Sequence, residues 1–113
     1  MSLVPFLYTT KKTKLWYVLY VKSKRETIIE DHINALDLDI IAYSPTHVVV
    51  KQWKDRKKKV NTPLLPKIVL IKTEERLRDK VFQIAGTVRY LFELRKPAIV
   101  REIEIEQLRA ITD

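Results

Sequence analysis

Two short stretches constrain the fold more than the rest of the chain: Leu15 to Val21 (LWYVLYV) and Ile68 to Ile71 (IVLI) are apolar at every position. Successive side chains of a strand point to opposite faces, so a strand with one wet face alternates apolar and polar residues. Here Trp16, Val18 and Tyr20 point one way and Tyr17, Leu19 and Val21 the other. In the second run Ile68 and Leu70 oppose Val69 and Ile71. Both runs are expected to be central strands of a sheet that is apolar on its two sides. The helices of the chain either cover both faces or leave an apolar patch open to a partner.

The remaining pattern supplies those helices. From Glu26 the apolar residues Ile29, Ile33 and Leu36 recur at the spacing of a helix with one buried face, after a charged turn at Lys22 to Arg25. Asp39 to Ser44 resumes strand character, and Pro45 punctuates it. Val48 to Val50 and Val60 flank the basic stretch Lys51 to Lys59, which predicts a hairpin with a charged tip. Pro63 to Lys72 (PLLPKIVLIK) reads as a strand with proline at its entrance, where a missing N–H is tolerated. Leu77, Val81 and Ile84 mark a second helical stripe, with Gly86, the sole glycine, as its C-cap. Thr87 to Phe92 reads as a strand and Lys96 to Val100 as extended; Ile105, Leu108 and Ile111 mark a last amphipathic helix.

This order predicts an α+β fold: a mostly antiparallel four-stranded sheet on a β-α-β-β-α-β theme, with a basic hairpin insertion and about three helices. Leu15 to Asp113 reads as one domain and Met1 to Lys14 as an N-terminal extension. The apolar patch Leu3 to Tyr8 precedes the lysines instead of following them, the wrong order for a secretory signal. No apolar run approaches the ~20 residues of a membrane span. A cytoplasmic, monomeric protein without membrane contact is expected.

Catalytic patterns are sparse. One glycine cannot build a phosphate-cradling loop or a dinucleotide fingerprint, and without cysteine there are no disulfides, thiolate metal sites or cysteine nucleophiles. His32 and His47 have no ligand spacing between them. Ser23 and Ser44 lack a nucleophile-elbow context. Asp37 and Asp39 fit a turn, and Glu102, Glu104 and Glu106 fit the start of a helix, where the macrodipole favours negative charge. A small enzyme on the same theme, such as an acylphosphatase, needs a glycine-bearing anion loop after the first strand; Lys22 to Arg25 offers charge but no glycine. A non-enzymatic role without cofactor or metal is expected.

Charge points to a polyanion. The net charge is +8, and an excess of this size on a small domain suits nucleic acid or an acidic protein surface. Its densest part is Lys51, Gln52, Trp53, Lys54, Asp55, Arg56, Lys57, Lys58 and Lys59, six cations around one indole able to stack on a base. The plain alternative is a solvated hairpin tip whose tryptophan packs on its own ribbon.

Read together, Trp16 to Tyr20 (WYVLY), Gln52 to Val60 (QWKDRKKKV), Pro63 to Pro66 (PLLP), Gly86 to Val88 (GTV) and Lys96 to Val100 (KPAIV) resemble the NusG N-terminal domain. The resemblance runs from about Leu15 to Thr112 and is nearest to the UpxY-like antiterminators. It implies an α/β sandwich of NGN type and a transcription elongation or antitermination factor. The sheet of such a domain offers an apolar cavity to the β′ clamp helices of RNA polymerase and bridges to the β lobe, which disfavours pausing. The basic hairpin faces upstream or non-template DNA.

On this chain the resemblance implies Tyr17, Tyr20, Leu65, Ile68, Leu70 and Tyr90 as docking residues, and Lys51, Trp53, Lys54, Arg56, Lys57, Lys58 and Lys59 as nucleic-acid contacts. The lobe contact falls near Glu74 to Arg78. Alternation puts Tyr17 and Tyr20 on opposite faces, and which of them meets the cavity stays open. Relatives usually carry aromatic residues where Leu65, Ile68 and Leu70 stand, and a small one where Lys67 stands. An aliphatic cavity still buries apolar surface but lacks the aromatic anchors that dominate hot spots. The KOW barrel that usually follows the domain is not expected within Leu15 to Asp113, so coupling to ribosome or termination factor is not implied. The alternative is a stand-alone ferredoxin-like nucleic-acid-binding domain, although Lys67 to Lys72 (KIVLIK) lacks the stacking aromatics and glycine of an RNA-recognition strand.

Overall fold

A computed structural model describes residues 13–112 of the chain. Of the N-terminal extension, residues 1–12 lie outside the described residues, and Lys14 already belongs to the first strand. The elements follow as β1 (Lys14–Val21), α1 (Glu26–Asn34), β2 (Ile41–Tyr43), β3 (Thr46–Trp53), β4 (Arg56–Pro63) and β5 (Ile68–Glu74). After these come a 3-10 helix (Glu75–Gln83), β6 (Thr87–Tyr90), β7 (Phe92–Glu93), β8 (Lys96–Pro97), β9 (Ile99–Val100) and α2 (Glu102–Thr112).

The two all-apolar runs are neighbours at the centre of the sheet. Its order is β2-β5-β1-β6, with β9 also paired to β1, and every pairing is antiparallel. Tyr20 stands opposite Ile68, Val18 opposite Leu70 and Trp16 opposite Lys72, so these residues share one face. This is the β-α-β-β-α-β arrangement expected from the element order, with β9 as an added fifth strand. The hairpin β3–β4 pairs only with itself and leaves the sheet as a separate two-stranded ribbon.

Both faces of the sheet are covered, but unequally. Tyr17, Leu19, Val21, Val69 and Ile71 pack under α1 and the 3-10 helix, against Ile29, Ile33, Leu77, Val81 and Tyr90. Leu19, Ile29, Ile33, Val69, Ile71 and Val81 are fully buried there, each contributing roughly 1.5–3 kcal/mol of burial. On the other face Trp16, Val18 and Leu70 meet α2 through Ile105. Helix α1 is tied to the edge strand by Asn34, whose amide donates to the Ala42 carbonyl (3.0 Å) and accepts from its N–H (2.8 Å). Glu30 accepts from the Ser44 N–H, and burial pushes its carboxyl above the usual range against the pull of that bond.

Four expectations shift. The second helix is 3-10 in form and ends at Gln83; Ile84 is extended (φ −89°, ψ 128°) and joins the core edge from outside it. Gly86 therefore caps no helix. It sits in the turn into β6 at φ +99°, and its carbonyl accepts from the Lys22 N–H. The proline-flanked strand begins at Ile68, because Leu64 to Lys67 form a turn whose Leu64 N–H bonds Pro45 and whose Ile68 N–H bonds Leu65. The strand from Thr87 breaks at Leu91, so Phe92 belongs to the small β7–β8 hairpin.

The turn at Gly86 yields a testable consequence. A β-carbon there would lie 3.1 Å from Ile29 Cδ1, on a backbone that side-chain-bearing residues rarely adopt. Gly86→Ala is expected to cost about 1–2 kcal/mol, read as a lower urea midpoint at unchanged slope.

Candidate functional site

The face under α2 is closed at one end and open at the other. At the closed end the Trp16 indole N–H donates to Glu102 Oε2 (2.9 Å), and Lys72 and Arg109 lie over the same ring at 5.8 and 5.9 Å. Arg109 also stacks on Tyr43 (5.4 Å), whose hydroxyl bonds the Thr112 hydroxyl (3.1 Å). These contacts hold α2 over Trp16, Val18 and Leu70. At the other end Tyr20, opposite Ile68, is only half-buried, as are Leu65, Ile68 and Leu91, which pack against the edge of the cluster.

Local structure fixes that surface. Lys67, at φ +66°, ends the Leu64 to Lys67 turn; its N–H donates to the buried Glu26 carboxylate (2.7 Å) and its carbonyl accepts from Val21 (2.9 Å). The turn thus locks Leu65 and Ile68 beside the end of β1. Arg89 faces Tyr20 across β6, with its guanidinium 4.9 Å from the ring, so one rim of the apolar surface is cationic.

Four of the six docking candidates come together here and two do not. Tyr20, Leu65, Ile68 and Leu70 share the α2 face, although Leu70 is only 2% exposed and lies mostly under the helix. Tyr17 and Tyr90 lie on the opposite face, each 4% exposed, within the core beneath the 3-10 helix. Tyr17 is thus taken up by the core, and of the two rings along β1 only Tyr20 is left half-buried on the α2 face. Leu91 and Arg89 join the surface without having been marked from sequence, because only the register of β6 on β1 brings them there.

The basic ribbon is the second element. Every residue from Lys51 to Lys59 is exposed, and none of them is in an ion pair among the described residues. Its two-residue turn is Lys54-Asp55, with Lys54 at φ +49° and its carbonyl accepting from the Gln52 amide (3.0 Å). Register divides the cations between the two faces. Lys51 opposes Lys58 and Trp53 opposes Arg56 on one side, whereas Lys57 and Lys59 oppose Gln52 and Val50 on the other.

Like charges placed directly opposite destabilise a ribbon, so the Lys51–Lys58 pair favours an anionic partner. Trp53 is 58% exposed, hence only partly packed on its own ribbon, and with Arg56, Lys57 and Lys58 it lines a cleft of about 450 Å³. The segment Glu74 to Arg78 opens the 3-10 helix: Glu74 is buried and pairs with Arg76 (3.4 Å), and Arg78 packs on aromatic rings.

A search of curated proteins found no match. No helix among the described residues is long and apolar enough to cross a membrane. The family model described as transcription termination factor nusG matches residues 14–109. That span contains every sheet strand, the basic ribbon and most of α2. The chain thus belongs to the NusG family of transcription elongation and termination factors, which is not a family of enzymes.

Proposed function

We propose that the domain binds RNA polymerase through the open end of the α2 face and suppresses pausing or termination. The observation that supports this reading is the half-buried apolar group of Tyr20, Leu65, Ile68 and Leu91 on the α2 face of the sheet. The partner is the apex of the polymerase β′ clamp helices, with the start of the 3-10 helix near the β lobe. Binding there is non-covalent and uses no cofactor. The aliphatic Leu65 and Ile68 supply apolar burial at roughly 25 cal/mol/Å², and Tyr20 is the one aromatic anchor.

The ribbon is the DNA-facing part of the same reading. Lys51, Lys54, Arg56, Lys57, Lys58 and Lys59 offer charge to phosphates, and Trp53 offers a ring to an unpaired base. Replacing Lys57, Lys58 and Lys59 together with Gln is expected to weaken DNA binding. It should also reduce the slope of log affinity against log salt by about 2–3, one increment per lost phosphate contact. An unchanged slope returns these lysines to a solvated tip. A stand-alone nucleic-acid-binding domain is the second reading, favoured by the ribbon alone; it requires DNA or RNA binding to persist where polymerase binding is absent.

A further inference from the structure

Helix α1 does more than cover one face of the sheet: two of its side chains run along the free edge of β2. This strand is the last in the order β2-β5-β1-β6, so one row of its backbone groups has no neighbouring strand. Asn34 takes both polar groups of Ala42, donating to its carbonyl (3.0 Å) and accepting from its N–H (2.8 Å). Glu30 accepts from the N–H of Ser44. Backbone groups along a strand point alternately to its two sides, so Ala42 and Ser44 are turned away from β5, and Ile41 and Tyr43 toward it. Ile40, Ala42 and Ser44 are only 5%, 4% and 5% exposed, although they belong to an edge.

Spacing explains the fit. Residues four apart on a helix stand roughly 6 Å apart along its axis, and residues two apart on a strand roughly 6.7 Å. Glu30 and Asn34 therefore meet successive outward-facing residues, in the order an antiparallel neighbour would. The carboxamide of Asn34 offers a donor and an acceptor, as a peptide group does. Pro45 follows without an N–H, so the edge that needs closing ends at Ser44.

An unpaired edge is a template for another strand. Ile40 to Tyr43 (IIAY) is wholly apolar and is suited to pairing with itself. A second copy laid antiparallel about Ala42 sets the two Ala42 residues against each other, Ile41 against Tyr43 and Ser44 against Ile40. The Ala42 pair would exchange both of its N–H···O bonds, and each aliphatic–aromatic pair of Ile41 with Tyr43 favours the ladder. We propose that Glu30 and Asn34 act as a false strand that closes the β2 edge, and that the edge beneath them is a latent pairing site for a second copy of this chain. The seal lies on the α1 side of the sheet, so it stands or falls apart from polymerase docking on the α2 face.

Amide hydrogen exchange of the whole chain tests the seal. The Ala42 and Ser44 N–H groups are expected to exchange at least about tenfold more slowly than the amide of Lys24 in the exposed turn after β1; equal rates overturn the proposal. Asn34→Ala should speed exchange at Ala42 about tenfold while Ile71, fully buried at the centre of the sheet, stays slow. Equal acceleration at Ile71 would mean that Asn34 supports the whole fold and has no special hold on the edge, which also overturns it. Sedimentation then reads the latent site. The chain carrying both Glu30→Ala and Asn34→Ala should self-associate about tenfold more tightly than the parent, with the Ala42 amide slowed again in the dimer. A folded double variant that stays as monomeric as the parent overturns the pairing, and so does a dimer in which Ala42 still exchanges fast.

Discussion

Ile68→Asp is expected to abolish binding to RNA polymerase while the domain still unfolds cooperatively. Ile68 is half-buried at the start of β5, opposite Tyr20 and at the edge of the cluster on the α2 face, so a carboxylate there can reach water in the free domain. In a docked complex the same carboxylate would be desolvated against an apolar partner without a counter-charge. Loss of one aliphatic anchor alone removes about 2 kcal/mol, and the buried charge adds to it, so a drop in affinity of more than ~30-fold is expected. The check pairs a binding titration with urea unfolding of the same sample. If Ile68→Asp loses its cooperative transition, Ile68 is a core residue and the docking surface is misplaced. If it binds like the parent, the surface is not used.

Ile105→Ala is expected to produce the largest loss of stability among single substitutions on the α2 face. Ile105 is fully buried, and with the partly buried Leu108 it packs α2 against Trp16, Val18 and Leu70. A large-to-small change at such a position costs about 2–5 kcal/mol. In a domain of this size that lowers the melting temperature by roughly 10–25 °C. Loosening α2 also frees the Trp16 indole from Glu102, so Trp16 fluorescence should move toward that of a hydrated indole when read in a Trp53→Phe background. A loss below about 1 kcal/mol with unchanged Trp16 emission would mean that α2 packs against the sheet without anchoring it.

The sheet was legible because its two central strands break the one-sided alternation of an ordinary antiparallel sheet. A run such as LWYVLYV has no wet side, which marks a central strand, and Trp16 to Leu19 and Val21 are indeed buried whereas Leu15 and Tyr20 are not. The ribbon was equally plain, because charge concentrated between two β-branched flanks leaves few other forms. Gly86 illustrates the opposite case. A lone glycine after a helical stripe suggests a cap, yet the 3-10 helix stops three residues earlier and the left-handed backbone serves the turn into β6. What decides this is the close approach of Ile29 from α1, a contact that no local pattern contains.

The candidate site divides the same way. Tyr20, Leu65 and Ile68 could be marked as a group, but Tyr17 and Tyr90 could not be separated from them until the register was known. Strand alternation states that Tyr17 and Tyr20 differ in face without stating which face α1 covers. The Arg78 cluster was invisible for a related reason: its rings come from β1, β6 and β7, and only the folded sheet brings them against one helix. The cationic rim of Arg89 over Tyr20 is another product of register, and it gives the open surface a charge that its aliphatic residues do not announce.

Capture of core RNA polymerase by the purified domain, with isolated β′ clamp-helix fragment added in excess, tests the central claim most directly. If the surface of Tyr20, Leu65, Ile68 and Leu91 is the docking site, the fragment displaces the polymerase, and the Ile68→Asp domain captures neither. Retention of polymerase in the presence of excess fragment would contradict clamp docking. So would a folded domain that ignores polymerase yet still holds DNA through its ribbon.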